Sequence, residues 1–336
     1  MAILRYIISS LLLLSLVSCF EDFDPKIDVS PVLCINSLIK AGEPVDVKVT
    51  RSFLYTDTDY NDRYVTDAVV NIYADGERVD AHYLPQEGDL IRIEVESEKY
   101  GSASAEVKVP HAVPVKSVKL TPSVINNWFP GDGTMRGGVE YNLDLAVEID
   151  DDPGADNYFK FDYAAVEPVA DTNYGYDENG NVIWVEAANA WYYPGMFNAD
   201  REPIFGEHIG AFDSAMGGDS FGFTFFTDRQ FSGRSYTLHL IYTGASYSVS
   251  SREWQDGLID CGLNITLSTI SRSFYDWANY RWQAESGVIG GLGEAGLADQ
   301  IWGYSNVTTN AGVVAAQSSV TYTVSLRDFL AGIIGQ

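Results

Sequence analysis

From Val29 to Val109 the chain alternates. Val45-Asp46-Val47-Lys48-Val49, Leu90-Ile91-Arg92-Ile93-Glu94-Val95 and Ala103 through Val109 put an apolar side chain at every second position. That is the period of a strand with one buried face. Turn residues bound the runs: Ala41-Gly42-Glu43-Pro44, Ala74-Asp75-Gly76 and Glu87-Gly88-Asp89. Short strands with a turn about every ten residues predict an antiparallel β-sandwich. Residues 29–112 match the size of one immunoglobulin-like or transthyretin-like sandwich. Pro110 and Pro114 place a domain boundary near residue 112.

Residues 113–336 read as a larger antiparallel β domain. Tyr141 to Ile149 alternates over its whole length, and Tyr158–Phe161, Phe221–Phe226, Ser235–Tyr242, Asn264–Ser268 and Thr321–Leu326 are further strand candidates. One segment changes period. Phe274, Trp277, Ala278 and Trp282 recur at helical spacing, Ser273 with Asp276 forms a capping box, and Gly287 stops the run. The expected fold is therefore all-β with one helix at 274–285, whose aromatics face the core. No internal repeat or low-complexity tract interrupts the chain.

The first residues follow a different rule. Arg5 precedes an apolar run from Ile7 to Val17, and Leu16-Val17-Ser18 leads into Cys19. A positive start, a short apolar core and small residues at the junction mark a secretory signal over 1–18. The run falls short of the about 20 residues a membrane span needs. Leu-x-Ser-Cys looks like a bacterial lipobox, which makes Cys19 the acylated first residue of the mature protein. The alternative is an ordinary signal peptide with a chance cysteine. Residues 19–28 then form a lipidated acidic tether.

Composition narrows the partners. The formal charge is −26, one unit more negative once Arg5 leaves with the signal. Nucleic acids and polyanionic surfaces require clustered Lys and Arg, so neither is expected to bind. A hydrophobic content of 46% is enough to bury cores and excludes a disordered chain. The length is too great for one ordinary core, which again favours two domains. Cys34 and Cys261 remain after acylation; an exported protein permits a disulfide between them, but each also fits a buried free thiol.

Several stretches carry a family resemblance. They are Asp24-Pro25-Lys26-Ile27-Asp28, Asn36 through Pro44, Thr50-Arg51-Ser52-Phe53 and Val65-Thr66-Asp67-Ala68-Val69-Val70. Asp152-Pro153-Gly154 before Asn157-Tyr158, Phe226-Thr227-Asp228 before Phe231-Ser232-Gly233, Ser268-Thr269-Ile270-Ser271 and Tyr304-Ser305-Asn306-Val307 follow in order. Together they resemble the Bacteroidota lipoproteins grouped as domain of unknown function 4249. That resemblance implies an outer-membrane lipoprotein, commonly encoded beside TonB-dependent receptors, with no established chemistry. Cys34 departs from the aliphatic residue usual there, which weakens a disulfide role for it. Glu21, Asp22 and Asp24 look like the export signal of this phylum for surface display, or else they solvate the tether.

No catalytic set assembles. Gly218-Asp219-Ser220-Phe221-Gly222 matches G-x-S-x-G, but a nucleophile elbow needs a strand before the serine and a helix after it. Here a flexible lead-in precedes Ser220 and a strand-like run follows, so the match reads as coincidence. His82, His111, His208 and His239 are scattered, without metal-ligand spacing. Asp150-Asp151-Asp152-Pro153-Gly154-Ala155-Asp156-Asn157 concentrates oxygen ligands, yet it lacks the closing glutamate of a calcium loop and reads better as an acidic turn. Asn179-Gly180 is a hairpin turn signal. A carboxylate pair for glycoside hydrolysis is not singled out. Neither a cofactor nor a metal is expected.

The aromatic segment Tyr174–Phe231 suits two readings. Tyr174, Tyr176, Trp184, Trp191, Tyr192, Tyr193, Phe197, Phe205 and Phe212 lie among glycines, prolines and acids without a sheet period. They close the core of a loop-rich sandwich, or they form a ligand platform. Trp184, Trp191, Tyr192 and Tyr193 are the candidate ligand contacts, because three consecutive rings cannot all face one side of a strand. The expected function is a surface-anchored, non-catalytic binding or accessory lipoprotein of a TonB-dependent uptake system. Its expected partners are outer-membrane lipid through Cys19, a TonB-dependent receptor and a glycan or peptide ligand. The alternatives are a hydrolase acting on captured glycan or peptide, and a structural subunit of a surface appendage.

Overall fold

The computed structural model describes residues 30–53, 63–80, 82–128, 137–166, 175–176, 178–179, 182–183, 190–193, 196–198, 202–206, 224–249, 262–285, 288–296 and 303–334. Val32–Gln336 is one compact unit; of a separate unit, Met1–Pro31, only residues 30 and 31 are described.

The chain is mostly β, arranged as packed sheets. β1 (Leu33–Lys40), β2 (Lys48–Arg51), β3 (Val69–Ala74), β4 (Glu77–Val79), β5 (Leu90–Ser97) and β6 (Gly101–Lys108) come first. Next follow β7 (Val115–Asn127), β8 (Gly137–Asp150), β9 (Tyr158–Val166), β10 (Gly175–Tyr176), β11 (Val182–Ile183), β12 (Ala190–Tyr193) and β13 (Met196–Asn198). β14 (Phe225–Thr227), β15 (Ser235–Val249), β16 (Gly262–Ile270) and β17 (Gly312–Ser325) complete the strands. The helices are α1 (Arg272–Glu285), α2 (Val288–Glu294) and α3 (Arg327–Ile334), with a 3-10 turn at Pro203–Gly206. None of the described helices is long and apolar enough to cross a membrane.

The central sheet has the order β14-β9-β16-β17-β1-β2, and its two ends are covered by different sheets. At the β1 end, Leu33, Ile35 and Ile39 join Val314 and Ala316 against Ile91, Ile93, Val95, Ala103, Ala105 and Val107 of the sheet β4-β3-β5-β6. At the β9 end, Phe159, Phe161, Ile265 and Leu267 meet Leu145, Val147, Ile149, Leu238 and Leu240 of the sheet β12-β15-β8-β7. Each of the Val, Leu, Ile and Phe side chains among them contributes about 1.5–3 kcal/mol by leaving water. Alternation in β5 and β8 is what the sequence displayed, because each has one face on a core.

β17 ties the two sandwiches together. Gly312–Gln317 runs parallel to Ile35–Lys40, while Gln317–Ser325 runs antiparallel to β16. The parallel pair is a departure from the antiparallel expectation, and it joins strands from the two ends of the chain in one sheet. Gly312 makes it fit: its φ is +93°, and a Cβ there would lie 2.1 Å from the Ile35 carbonyl oxygen. At the β3–β4 turn both central residues have positive φ, Asp75 at 50° and Gly76 at 86°, as a two-residue hairpin matching strand twist requires.

The helix prediction needs two corrections. α1 begins at Arg272, and its cap is Ser271, not Ser273: the Phe274 amide donates to Ser271 Oγ at 3.3 Å. Ser273 instead turns inward and donates to the Val314 carbonyl at 2.9 Å, while Asp276 pairs with Arg272. Two further helices follow the expected one.

Candidate functional site

Two of the quoted motifs fold onto each other. Asp151, 7% exposed, accepts the Gly233 amide at 2.8 Å and the Asn157 side-chain amide at 2.9 Å. Asp228, 2% exposed, accepts the Asn157 backbone amide at 2.8 Å and returns its own amide to the Asn157 carbonyl at 3.1 Å. Burial pushes the Asp228 carboxyl above the usual aspartate range; the Asn157 amide opposes that rise, and the charges of Asp151 and Asp156 add to it. Asp152 caps its own turn through the Gly154 amide at 3.0 Å. The acidic loop thus spends Asp152 on its own turn and Asp151 on the Asn157 side chain and the distant Gly233 amide. Among the described residues no three His, Cys, Asp or Glu side chains are grouped to hold a metal.

The other motifs close an interrupted sheet edge. Where β16 turns into α1, β17 loses its neighbour beyond Gln317, and buried backbone groups there need new partners. Ser271 supplies an amide to the Ala316 carbonyl at 2.8 Å and a hydroxyl to the Ala316 amide at 3.0 Å. Asn306 donates to the Val314 carbonyl at 2.8 Å and accepts its amide at 2.9 Å. Glu202, 3% exposed, plays a similar part on β15, accepting the His239 amide at 2.7 Å and the Tyr236 hydroxyl. A cleft of about 660 Å³ lies where these motifs converge, lined by His111, Asp152, Asn157, Arg272, Tyr304 and Asn306 among others.

A second cavity has less of its lining committed to the fold. It is an open groove of about 540 Å³ between the outer face of β1, the turn after it and α1. Leu38 (39% exposed), Val313, Ala315, Phe274 and Trp277 supply apolar surface; Asn36, Lys40, Glu43, Asp46 and Lys48 supply polar groups. α1 buries Phe274, Tyr275, Ala278 and Trp282 on the sheet, which leaves Trp277 half-buried at the groove with the Arg281 guanidinium 5.3 Å from its ring centre. The sequence carried one signal of this groove. Leu38 falls on the outward phase of β1, opposite to Leu33, Ile35 and Ile39.

Of the residues singled out beforehand, Cys19, Trp184, His208, Ser220 and Cys261 lie outside the described residues. Trp191, Tyr192 and Tyr193 form β12, whose backbone pairs with Ser248, Tyr247 and Ser246 of β15. Phe205 and Phe231 of the same aromatic segment belong to the core, with Phe205 edge-on to Phe226, 5.4 Å between ring centres. Glu178 and Asn179 lie in a turn between β10 and β11, and Gly180 lies outside the described residues. Cys34 is a free thiol whose pKa burial raises, opposed by a hydrogen bond with Thr50. His111 stands 3.6 Å from Glu87, and the His82 amide donates to Asp80.

The model of one family, described as a domain of unknown function (DUF4249), matches residues 21–323, and the chain belongs to that family. No curated protein and no solved structure matches the chain.

Proposed function

We propose that this member of the DUF4249 family is a surface-anchored outer-membrane lipoprotein, a non-catalytic binding or accessory component of a TonB-dependent nutrient uptake system. The observation that carries the binding half is the groove between β1 and α1. It is concave, open, and joins an apolar wall to a few polar groups, the usual form of a ligand site. The anchoring half rests on the lipobox residues Leu16-Val17-Ser18-Cys19 and the acidic residues behind them. Acyl chains contribute about 0.8 kcal/mol per buried methylene, and more than one chain makes the hold stable.

Cys19→Ala tests the anchor in cells. The variant is expected to leave the membrane fraction, while the parent stays until detergent is added. Retention of the variant against salt extraction overturns the anchor. Protease added to intact cells is expected to cut the parent; protection in cells with cutting in lysates overturns surface display. Purification of the native protein from membranes is expected to bring a TonB-dependent receptor with it. A pure polymer of this chain would instead point to an appendage subunit.

A further inference from the structure

We propose that the groove between β1 and α1 takes a neutral saccharide, with a sugar ring laid on Trp277. This rests on the reading of the chain as a binding protein and names the ligand class. The two walls differ in chemistry. Asn36, Lys40, Glu43, Asp46 and Lys48 all come from β1, the following turn and the start of β2, whereas Phe274 and Trp277 come from α1. A pyranose is two-sided in the same way, with a C–H face and a rim of hydroxyls.

Charge selects against an ionic ligand. Lys40 and Lys48 balance Glu43 and Asp46, so the polar wall is neutral in a chain of net charge −26. An anion would meet Glu43 or Asp46, and a cation would meet Lys40 or Lys48. A hydroxyl both donates and accepts, so a polyol can satisfy all four. Lys40 and Glu43, 3.1 Å apart, are already held together. Arg281, itself paired with Glu285, rests over Trp277 and restrains the ring before any ligand arrives. The volume of about 540 Å³ falls within the range of small-ligand sites.

An extended peptide fits less well. Peptides that add to a sheet need an open backbone edge. The backbone of β1 is paired with β17 over Ile35–Lys40 and with β2 over Leu33–Asn36, which leaves only Ser37–Lys40 without a strand on one side. The lining residues Asn36, Leu38 and Lys40 share a face of the strand rather than that edge. The groove therefore offers side chains, the means by which sugars are read.

Calorimetry on the full mature chain, with maltohexaose, cellohexaose, mannohexaose and xylohexaose as probes, tests the proposal. An acidic hexasaccharide and a neutral mixed-sequence peptide serve as controls. At least one neutral hexasaccharide is expected to bind saturably. Asp46→Ala with Lys48→Ala, both exposed positions, is expected to weaken that binding about tenfold or more, with the melting temperature unchanged. Trp277→Ala is expected to abolish it. Absence of binding by all four probes, equal binding by the Asp46/Lys48 variant, or binding of the peptide or acidic sugar alone overturns the saccharide assignment. Those results leave the Cys19→Ala fractionation untouched, so the two readings fail separately.

Discussion

Asn306 closes both backbone groups of Val314 with one side chain, donating to the carbonyl at 2.8 Å and accepting the amide at 2.9 Å. The amide side chain imitates the strand that β16 would have supplied had it not turned into α1. Its partner is fully buried, so water cannot replace it.

Asn306→Ala strands a buried donor and leaves the Val314 carbonyl to Ser273 alone. The expected loss is about 1–3 kcal/mol, read as a lower urea midpoint. Asn306→Asp keeps the acceptor but faces a carbonyl with a carboxylate, and is expected to cost at least as much. Equal midpoints for parent and Asn306→Ala would show that the sheet edge needs no such closure.

Gly233 and Gly244 separate two costs of adding a methyl group. Both have positive φ, +69° and +76°. A Cβ on Gly233 would lie 2.7 Å from the Cβ of Pro153, whereas one on Gly244 meets nothing within 4 Å. Gly244→Ala is expected to cost about 1–2 kcal/mol for backbone conformation alone. Gly233→Ala is expected to cost clearly more, since the turn bearing the Asp151 contact must move. Similar melting temperatures for the two variants would contradict this.

Asp228 makes stability depend on pH in an identifiable direction. Its pKa is raised in the folded state, so the native protein binds more protons than the unfolded chain between the ordinary and the raised value. Stability therefore falls as pH rises through that window and is level above it. Asp228→Asn keeps an acceptor for the Asn157 amide and removes the titration. Relative to the variant, the parent is expected to lose stability from the ordinary aspartate range upward. Denaturant midpoints across the acid range check it; a pH-independent difference would rule it out.

Trp191 and Tyr192 are adjacent in β12, and consecutive strand positions alternate between faces. Made singly, Trp191→Ala and Tyr192→Ala are expected to differ. A ring that is core costs about 3–5 kcal/mol on truncation, while an exposed one leaves melting nearly unchanged. Weakened ligand capture in the variant that melts normally would mark the aromatic platform. Normal capture in both would place capture elsewhere on the chain, away from β12.

Local signals in the sequence determined the strands whose faces differ. Leu90–Val95 and Tyr141–Ile149 alternate because each has one face on a core, and Asp75-Gly76 announces its turn through backbone conformation. Both facts are carried by neighbouring residues. Helical spacing from Phe274 to Trp282 likewise announced α1, but its cap shifted to Ser271 because Ser273 is drawn to the Val314 carbonyl, 41 positions away. Tertiary structure alone decided the parallel pairing of β1 with β17, the burial of Asp151 and Asp228 against partners 82 and 71 positions away, and the groove that sets Leu38 beside Trp277. A period of two says which face of a strand is apolar; which strand comes to lie beside it depends on how distant backbone groups and apolar faces are jointly satisfied.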